Sequence, residues 1–383
     1  MFYHLPPVGN LVQLRPRVQD SDVLARLFSP YTPRFLDSGT AALAAAIGAA
    51  TRLKDTESPE VILPAYGCPD LVSAVLHAGA RPVLADLEPE RPWLDPASVA
   101  EKTSQHTVAI VAVSLFGIPE RMTVLRQLAE QAGALLIEDS AQAFSCDTST
   151  DRWQGDLVVL SFGRGKPVSL LGGGAVLFRD DRYAGLLPDT EGPGRIPRGN
   201  AVVFGIKARL YNRMLSPRIY WLPQVLPFLH LGETRFHPLH GIASMDAGRR
   251  ALLPVNVEAY CRRHERGMTD MAALVAAIQS GGHAGIVDLP AVCGCPSPNG
   301  LLRYPLLLAS EKRDAVYQRL RRLGASRMYP AVLPAIEGLG TLLANAGAFP
   351  AASDFAVRLL TLPLHGRMSD SDLAALRDGL IKC

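Results

Sequence analysis

The sequence predicts an α/β protein: a mostly parallel sheet covered by helices on both faces, with a smaller α/β domain towards the C-terminal end. Three observations lead there. From Val61 onward, short apolar and β-branched runs alternate with segments of helical period, which is the text of βαβ units. The runs are too apolar for a sheet with one wet face, so both faces are expected to be covered. At 383 residues the chain also exceeds the size at which a single hydrophobic core stops growing, so a large domain and a smaller one are expected.

Taken in order, strands are expected at 61–63, 81–85, 108–115, 135–138, 157–162 and 174–178, and helices at 40–52, 69–78, 96–101 and 121–132. Asp95-Pro96 supplies an N-cap acceptor followed by a proline where its missing N–H does no harm. Gly133 is placed to end the helix before it. After Ser244 helical text resumes to about Ser280, a Gly/Pro/Cys-rich loop covers 281–300, and a second α/β stretch closes with a helix at 370–381. The domain boundary falls near 245–255, dividing the chain into a large domain, 1–245, and a small one, 246–383.

Composition excludes several classes of function. Hydrophobic residues at 48% and charged residues at 20% suit an ordered globular chain. Thirty-nine Lys+Arg against 36 Asp+Glu leave +3, without the basic surface that nucleic-acid binding demands. The six cysteines, at 68, 146, 261, 293, 295 and 383, show no CxxC and no paired spacing, so they read as thiols of a reducing, cytoplasmic compartment. The first 17 residues lack the basic start and apolar run of a signal peptide and read as part of the mature chain. No run reaches the roughly 18 to 20 apolar residues that span a bilayer.

Charge is nevertheless uneven along the chain. Residues 192–232 contain no acid, while Arg195, Arg198, Lys207, Arg209, Arg213 and Arg218 are interleaved with Phe204, Tyr211, Tyr220, Trp221 and Phe228. Such a segment can meet a nucleotide diphosphate, an anionic partner or a membrane surface, or pack at a dimer interface. Pro217, Pro223 and Pro227 argue against a long amphipathic helix and favour the interface. His237 and His240 flank Pro238 without a carboxylate or cysteine to complete a ligand set, so no metal site is expected.

Four segments carry chemistry when taken together. Asp37-Ser38-Gly39-Thr40 precedes an alanine-rich helix, and a glycine turn feeding a helix start offers free N–H donors to a phosphate; its plainer role is an N-cap. Leu135-Leu136-Ile137-Glu138-Asp139-Ser140-Ala141-Gln142 is an apolar strand with acids at its C-terminal edge, where open parallel sheets bind ligands. Ser161-Phe162-Gly163-Arg164-Gly165-Lys166 sets a lysine among small residues after a buried strand, making it a candidate Schiff-base lysine as well as an ordinary loop lysine. Gly172-Gly173-Gly174 enters a strand where backbone must be approached closely.

In their order, these segments, with Leu63-Pro64-Ala65-Tyr66, Ala78–Asp86, Gly155-Asp156, Arg303-Tyr304-Pro305, Arg327-Met328-Tyr329-Pro330 and 360–365, resemble the DegT/DnrJ/StrS-type sugar aminotransferases. The resemblance covers most of the chain except 192–245. It implies the pyridoxal 5'-phosphate (PLP)-dependent transferase fold type I, with a mixed, mostly parallel seven-stranded sheet. It further implies that Lys166 carries the cofactor and moves the proton, that Asp139 faces the pyridine nitrogen, and that Gln142 reaches the phenolic oxygen. Ser161, Gly39 and Thr40 would hold the phosphate, and either Tyr66 or Cys68 would lie over the ring.

The chain departs from the family in lacking an acid in the glycine stretch after Lys166, with an interval one residue shorter. Ser114 precedes Leu115-Phe116-Gly117 where a more polar residue is common, and residues 235–242 lack the family's Asn-Tyr-Arg-Met motif, which reaches a neighbouring subunit. The implied activity is amine transfer from glutamate or glutamine to a keto group on a nucleotide-activated sugar, in a homodimer with the site at the interface. Three alternatives accompany it: the same chemistry on a non-sugar carbonyl such as a cyclitol, a lyase or desulfurase reaction, or a PLP-binding regulator without turnover.

Overall fold

The computed structural model describes residues 3–15, 22–147, 149, 151–189, 198–222, 234–262, 266–281, 285–295, 300–343 and 347–382. Seven strands, β1 (Thr32–Leu36), β2 (Glu60–Pro64), β3 (Arg81–Ala85), β4 (Thr107–Val113), β5 (Leu135–Asp139), β6 (Leu157–Ser161) and β7 (Gly174–Phe178), form one sheet in the order β1-β7-β6-β5-β4-β2-β3. From β3 to β6 all pairings are parallel, and β7 runs against both β6 and β1. Each expected strand is present within a residue or two at its ends. β1 is the strand that the pattern does not announce. Its Thr-Pro-Arg-Phe-Leu text has no alternation, and Pro33 is tolerated because β1 lies at the sheet edge.

Helices cover both faces, which is why every residue of β2, β4 and β7 is buried. Short α1 (Asp22–Phe28) precedes β1, and α2 (Gly39–Leu53) buries an unbroken run from Ala41 to Ala50 whose small side chains let it lie close on the sheet. Beside it runs α3 (Asp70–His77). On the opposite face α4 (Pro96–Lys102) and α5 (Met122–Ala132) close over Ile62, Ile110, Ala112 and Leu136. Asp95 caps α4 by accepting from the Ala97 and Ser98 N–H groups at 3.1 and 3.2 Å, and Gly133 ends α5 at a φ of 59°. Along β6 and β7 the side chains alternate: Leu157, Val159, Val176 and Phe178 join the α2 side, while Val158, Leu160, Ala175 and Leu177 join the other.

Beyond β7 come α6 (Arg198–Met214) and α7 (Ala247–Cys261). Leu252, Leu253, Val257 and Tyr260 of α7 pack with Phe35, Phe144 and Trp153 against the large sheet, and a disulfide joins Cys146 to Cys261 at a Cα–Cα distance of 5.5 Å. That bond corrects the reading of all the cysteines as thiols. Partners 115 residues apart leave no spacing signature, so only the folded chain reveals them. Cys68, Cys293 and Cys295 are free, and Cys383 lies outside the described residues.

The rest of the chain builds a three-stranded antiparallel sheet, β8 (Val287–Asp288), β9 (Tyr304–Leu307) and β10 (Leu359–Leu362), in the order β10-β9-β8. Around it lie α8 (Arg266–Ser280), α9 (Leu289–Val292), α10 (Ser310–Leu320), α11 (Pro350–Arg358) and α12 (Asp370–Ile381). β8 and α9 fall in the stretch expected to be loop, being too short to show a period. The N-terminal segment straps the parts together. Leu5 N–H donates to the Arg322 carbonyl at 2.9 Å, Pro6 carbonyl meets His365 Nε2 at 2.8 Å, and Val12 exchanges two hydrogen bonds with the Asn212 side chain at 2.9 and 2.8 Å.

One buried carboxyl makes stability depend on pH. Glu120 accepts the Leu94 and Arg121 N–H groups at 2.9 and 2.8 Å, yet burial pushes its pKa up to about 7. Its folded pKa lies above the unfolded value, so its contribution is complete below the unfolded pKa and is lost as pH rises through about 7. Urea unfolding should show the wild type losing up to about 3 kcal/mol from this group between pH 5 and 8. Glu120→Gln should flatten that slope; an unchanged slope rules the assignment out.

Candidate active site

The C-terminal edge of the parallel strands and the start of α2 meet around the expected residues. Ser38 caps α2, its Oγ accepting the Ala41 N–H at 3.0 Å and its carbonyl the Ala42 N–H at 3.0 Å, which leaves the Gly39 and Thr40 N–H groups at the positive end of the helix. Ser161, at the end of β6, lies directly opposite. A Cβ placed on Gly39 would come within 2.6 Å of Ser161 Oγ, so any side chain at 39 fills the space in front of that hydroxyl. Gly163 N–H points at the same oxygen at 3.4 Å. Helix N–H groups, a serine hydroxyl and a glycine amide form an anion cradle. Thr40 does not add its hydroxyl to it, because that group donates to Asp70 Oδ2 at 3.1 Å.

Asp139 ends β5 in the middle of the sheet and is buried. Its Oδ1 accepts the Ala141 N–H at 2.9 Å, burial raises its pKa, and the positive charge of Lys166 opposes that rise. Lys166 sits half-buried in a loop closed at Phe162, whose N–H donates to Gly173 O at 2.8 Å and whose carbonyl accepts from Leu170 and Gly172 at 2.7 and 3.2 Å. Gly165 takes a φ of 71°, a turn that a side chain would strain. Neighbouring Glu138 faces away from the ligand edge, accepting the Gln154 and Gly155 N–H groups at 2.7 and 3.0 Å and tying β5 to the turn into β6.

Tyr66 and Cys68 part company. Tyr66 is fully buried, its ring against Tyr329 and Phe355 at 5.8 and 5.2 Å and its hydroxyl donating to the Met328 carbonyl. Cys68 is half-buried and feels the charges of both Asp70 and Lys166; burial pushes its thiol up to about 12, so it stays protonated at neutral pH. Gln142 accepts the Phe116 N–H at 3.0 Å and donates to Tyr329 Oη at 3.1 Å.

The fold therefore brings Gly39, Ser161, Asp139, Lys166 and Cys68 to one edge with Gln142, and keeps Tyr66 in the layer beneath. Three further residues join them to which the sequence assigned no role in the site. Asp70 holds Thr40 and faces Cys68 and Asp139. Tyr329 touches Gln142, Cys68 and Tyr66 from 187 residues beyond Gln142, a separation that leaves no local signal. Asn10 donates from the N-terminal strap to the Lys166 and Pro167 carbonyls at 3.2 and 2.9 Å, so the strap anchors the lysine loop.

The glycine run serves close packing within the chain. A Cβ at Gly174 would lie 2.4 Å from the Ser38 carbonyl oxygen, and one at Gly173 would lie 2.4 Å from Met245. Residues 235–242 run beside Glu337 and α3: Arg235 pairs with Glu337 at 3.2 Å, and the Leu239 carbonyl meets His77 Nδ1 at 3.0 Å.

Compared with known proteins, the chain matches the DegT/DnrJ/EryC1/StrS aminotransferase family over residues 35–212, the stretch that holds the anion cradle, Asp139 and the lysine loop. Over that stretch it is similar to the members of that family. The chain is thus an aminotransferase with PLP as its cofactor. It is 26% identical over 344 residues to the dTDP-3-amino-3,4,6-trideoxy-alpha-D-glucose transaminase of Micromonospora megalomicea subsp. nigra, a match covering 86% of this chain and 79% of that one. A shorter match, 34% identical over 146 residues, covers 37% of this chain and 34% of the L-glutamine:2-deoxy-scyllo-inosose aminotransferase of Streptomyces paromomycinus. Among solved structures, NtdA from Bacillus subtilis with bound PMP superposes with a TM-score of 0.67 at 17% identity, over 97% of this chain and 85% of that one. That likeness shows the fold.

The residues present fit PLP: a cradle of N–H groups and the Ser161 hydroxyl, with no side chain at Gly39, for its phosphate, a buried carboxylate for its ring nitrogen, and a lysine on the same edge. Filling the cradle should expel the phosphate. Gly39→Val is expected to weaken PLP binding at least about tenfold, the loss of one charge-assisted hydrogen bond or more. Equilibrium dialysis checks this, and unchanged retention would place the phosphate elsewhere.

Proposed function

We propose that this aminotransferase moves an amino group from glutamate or glutamine to a keto group on a nucleotide-activated sugar. The observation that carries the reading is the placement of Lys166 on the same sheet edge as Asp139 and the Gly39–Ser161 cradle. Bound there, PLP supplies an electron sink for the bond being broken at the amino-bearing carbon. Asp139 holds a positive charge on the ring nitrogen, and Gly39, Thr40 and Ser161 hold the phosphate through backbone N–H groups and a hydroxyl. Lys166 carries the cofactor and transfers the proton. Cys68, rather than the buried Tyr66, takes the place over the ring, and Gln142 fixes Tyr329 at its rim.

Arg303 is the cation we assign to an anionic group of the substrate. Its Nε is buried with no hydrogen-bond partner among the described residues, and Tyr329 and Tyr220 are its neighbours. A nucleoside diphosphate or the donor's carboxylate suits it. The names of the relatives support this substrate class: the Micromonospora protein is a dTDP-sugar transaminase and the Streptomyces protein takes glutamine as donor. The latter acts on a cyclitol, which favours a non-sugar ketone as the second reading. We further propose a homodimer with the pocket at the subunit junction. Within each subunit, residues 1–245 form the large domain and 246–383 the small one, with α7 as the connecting helix.

The test separates the two half-reactions. Holoenzyme mixed with glutamate or glutamine should release the matching 2-oxo acid in one turnover, and a panel of keto-sugar nucleotides should then restore the starting absorption. If no amino acid yields an oxo acid, amine transfer is wrong. If a keto-cyclitol alone restores the spectrum, the sugar is wrong.

A further inference from the structure

We propose that the outward face of α6 docks on an anionic lipid surface. Along this 17-residue helix Val202, Val203, Ile206 and Leu210 are exposed at 62%, 46%, 58% and 57%. Their spacing of one, four and eight residues from Val202 puts them on one face. Exposed Lys207 borders that stripe on one side and Arg209 on the other, and exposed Arg213 continues it at its C-terminal end. The opposite face is already spent: Ala208 and Leu215 are buried, Phe204 packs under Arg249 with the guanidinium 4.8 Å from its ring centre, and Asn212 binds the N-terminal strap. The stripe therefore faces away from the protein core.

Charge decides which occupant fits. The whole stretch 192–232 has six cations and no acid, so the stripe has no countercharge of its own. A second copy meeting this face across a two-fold axis would set this basic patch against its own copy, which like-charge repulsion disfavours. An anionic bilayer neutralises the cations while its acyl boundary receives the apolar stripe, which is how surface-lying helices bind. Among the described residues no helix is long and apolar enough to cross a membrane, so α6 lies on the surface. The prolines that argued against an amphipathic helix do not touch it: Pro217, Pro223 and Pro227 all follow Met214.

The experiment is sedimentation of the holoenzyme with vesicles of phosphatidylcholine alone or mixed with phosphatidylglycerol, at low and at high salt. Expected is binding to the mixed vesicles only, weakened by salt. Arg209→Glu with Arg213→Glu should lower the partition coefficient at least about 30-fold, at about fivefold per cation lost. Ile206→Glu with Leu210→Glu should abolish it. All four side chains are solvent-exposed, and an unchanged melting temperature and aminotransferase rate without vesicles certify the fold. Failure to sediment with the mixed vesicles, equal binding to both lipids, or variants that partition like wild type would each overturn the proposal. So would a wild type that ignores vesicles while Ile206→Glu with Leu210→Glu lowers its molar mass in solution, which would make the face a contact between copies.

Discussion

Lys166→Ala should lower turnover by about 10⁴-fold, the upper end of what a positioned proton carrier contributes, while leaving the thermal transition of the protein in place. The loop does not depend on the side chain it removes. Its shape is set by backbone bonds of Phe162 with Gly173, Leu170 and Gly172 and by Asn10 bridging the Lys166 and Pro167 carbonyls. What is lost is an amine on the edge that holds Asp139 and the cradle. Two readouts distinguish this from mere misfolding. PLP should leave the variant on dialysis but remain in the wild type, and an added small primary amine should restore part of the rate. A variant that keeps more than about a tenth of the wild-type rate would show that another group moves the proton, contrary to the magnitude expected of it.

How far the sequence alone reaches can be judged from individual residues. The parallel strands were legible because burial on both faces writes itself as apolar runs at 61–63 in β2 and 108–113 in β4. Asp139, Lys166 and Gly39 stood out as candidates because each ends or follows such a strand or starts a helix, whereas Ser161 entered only through the resemblance to the family. Distance in sequence hid the rest. Tyr329 reaches Gln142 across 187 residues and Cys146 reaches Cys261 across 115, and neither tyrosine nor cysteine announces such a partner. Asn10 lies in an N-terminal stretch without period, although it anchors the lysine loop. Tyr66 and Cys68, two residues apart on a chain leaving a strand, differ in burial because of the small-domain residues packed on them. Only tertiary packing could separate their roles.

Asp139→Asn should lower kcat by about 10²- to 10³-fold, the scale of losing one preorganised electrostatic partner of the reacting system, with a smaller change in the KM for the amino donor. The substitution isolates charge from shape. Asparagine keeps an oxygen where Oδ1 accepts the Ala141 N–H at 2.9 Å, so the turn after β5 has no reason to move. It gives up the negative charge that would face a protonated ring nitrogen. Burial raises the pKa of Asp139, which means that the ionised carboxylate is disfavoured in the folded chain unless a positive partner offsets it. The two forms of the protein should therefore respond with opposite signs. Without PLP, Asp139→Asn should melt no lower than wild type, because a buried charge has been removed. With PLP bound, the variant should gain less stability than wild type, because the cofactor has lost its countercharge. A fall in melting temperature that is equal with and without cofactor would assign Asp139 to the fold instead. The combination of an unharmed apoprotein and a slow, weakly stabilised holoenzyme is what a residue retained for chemistry against its own burial cost should show.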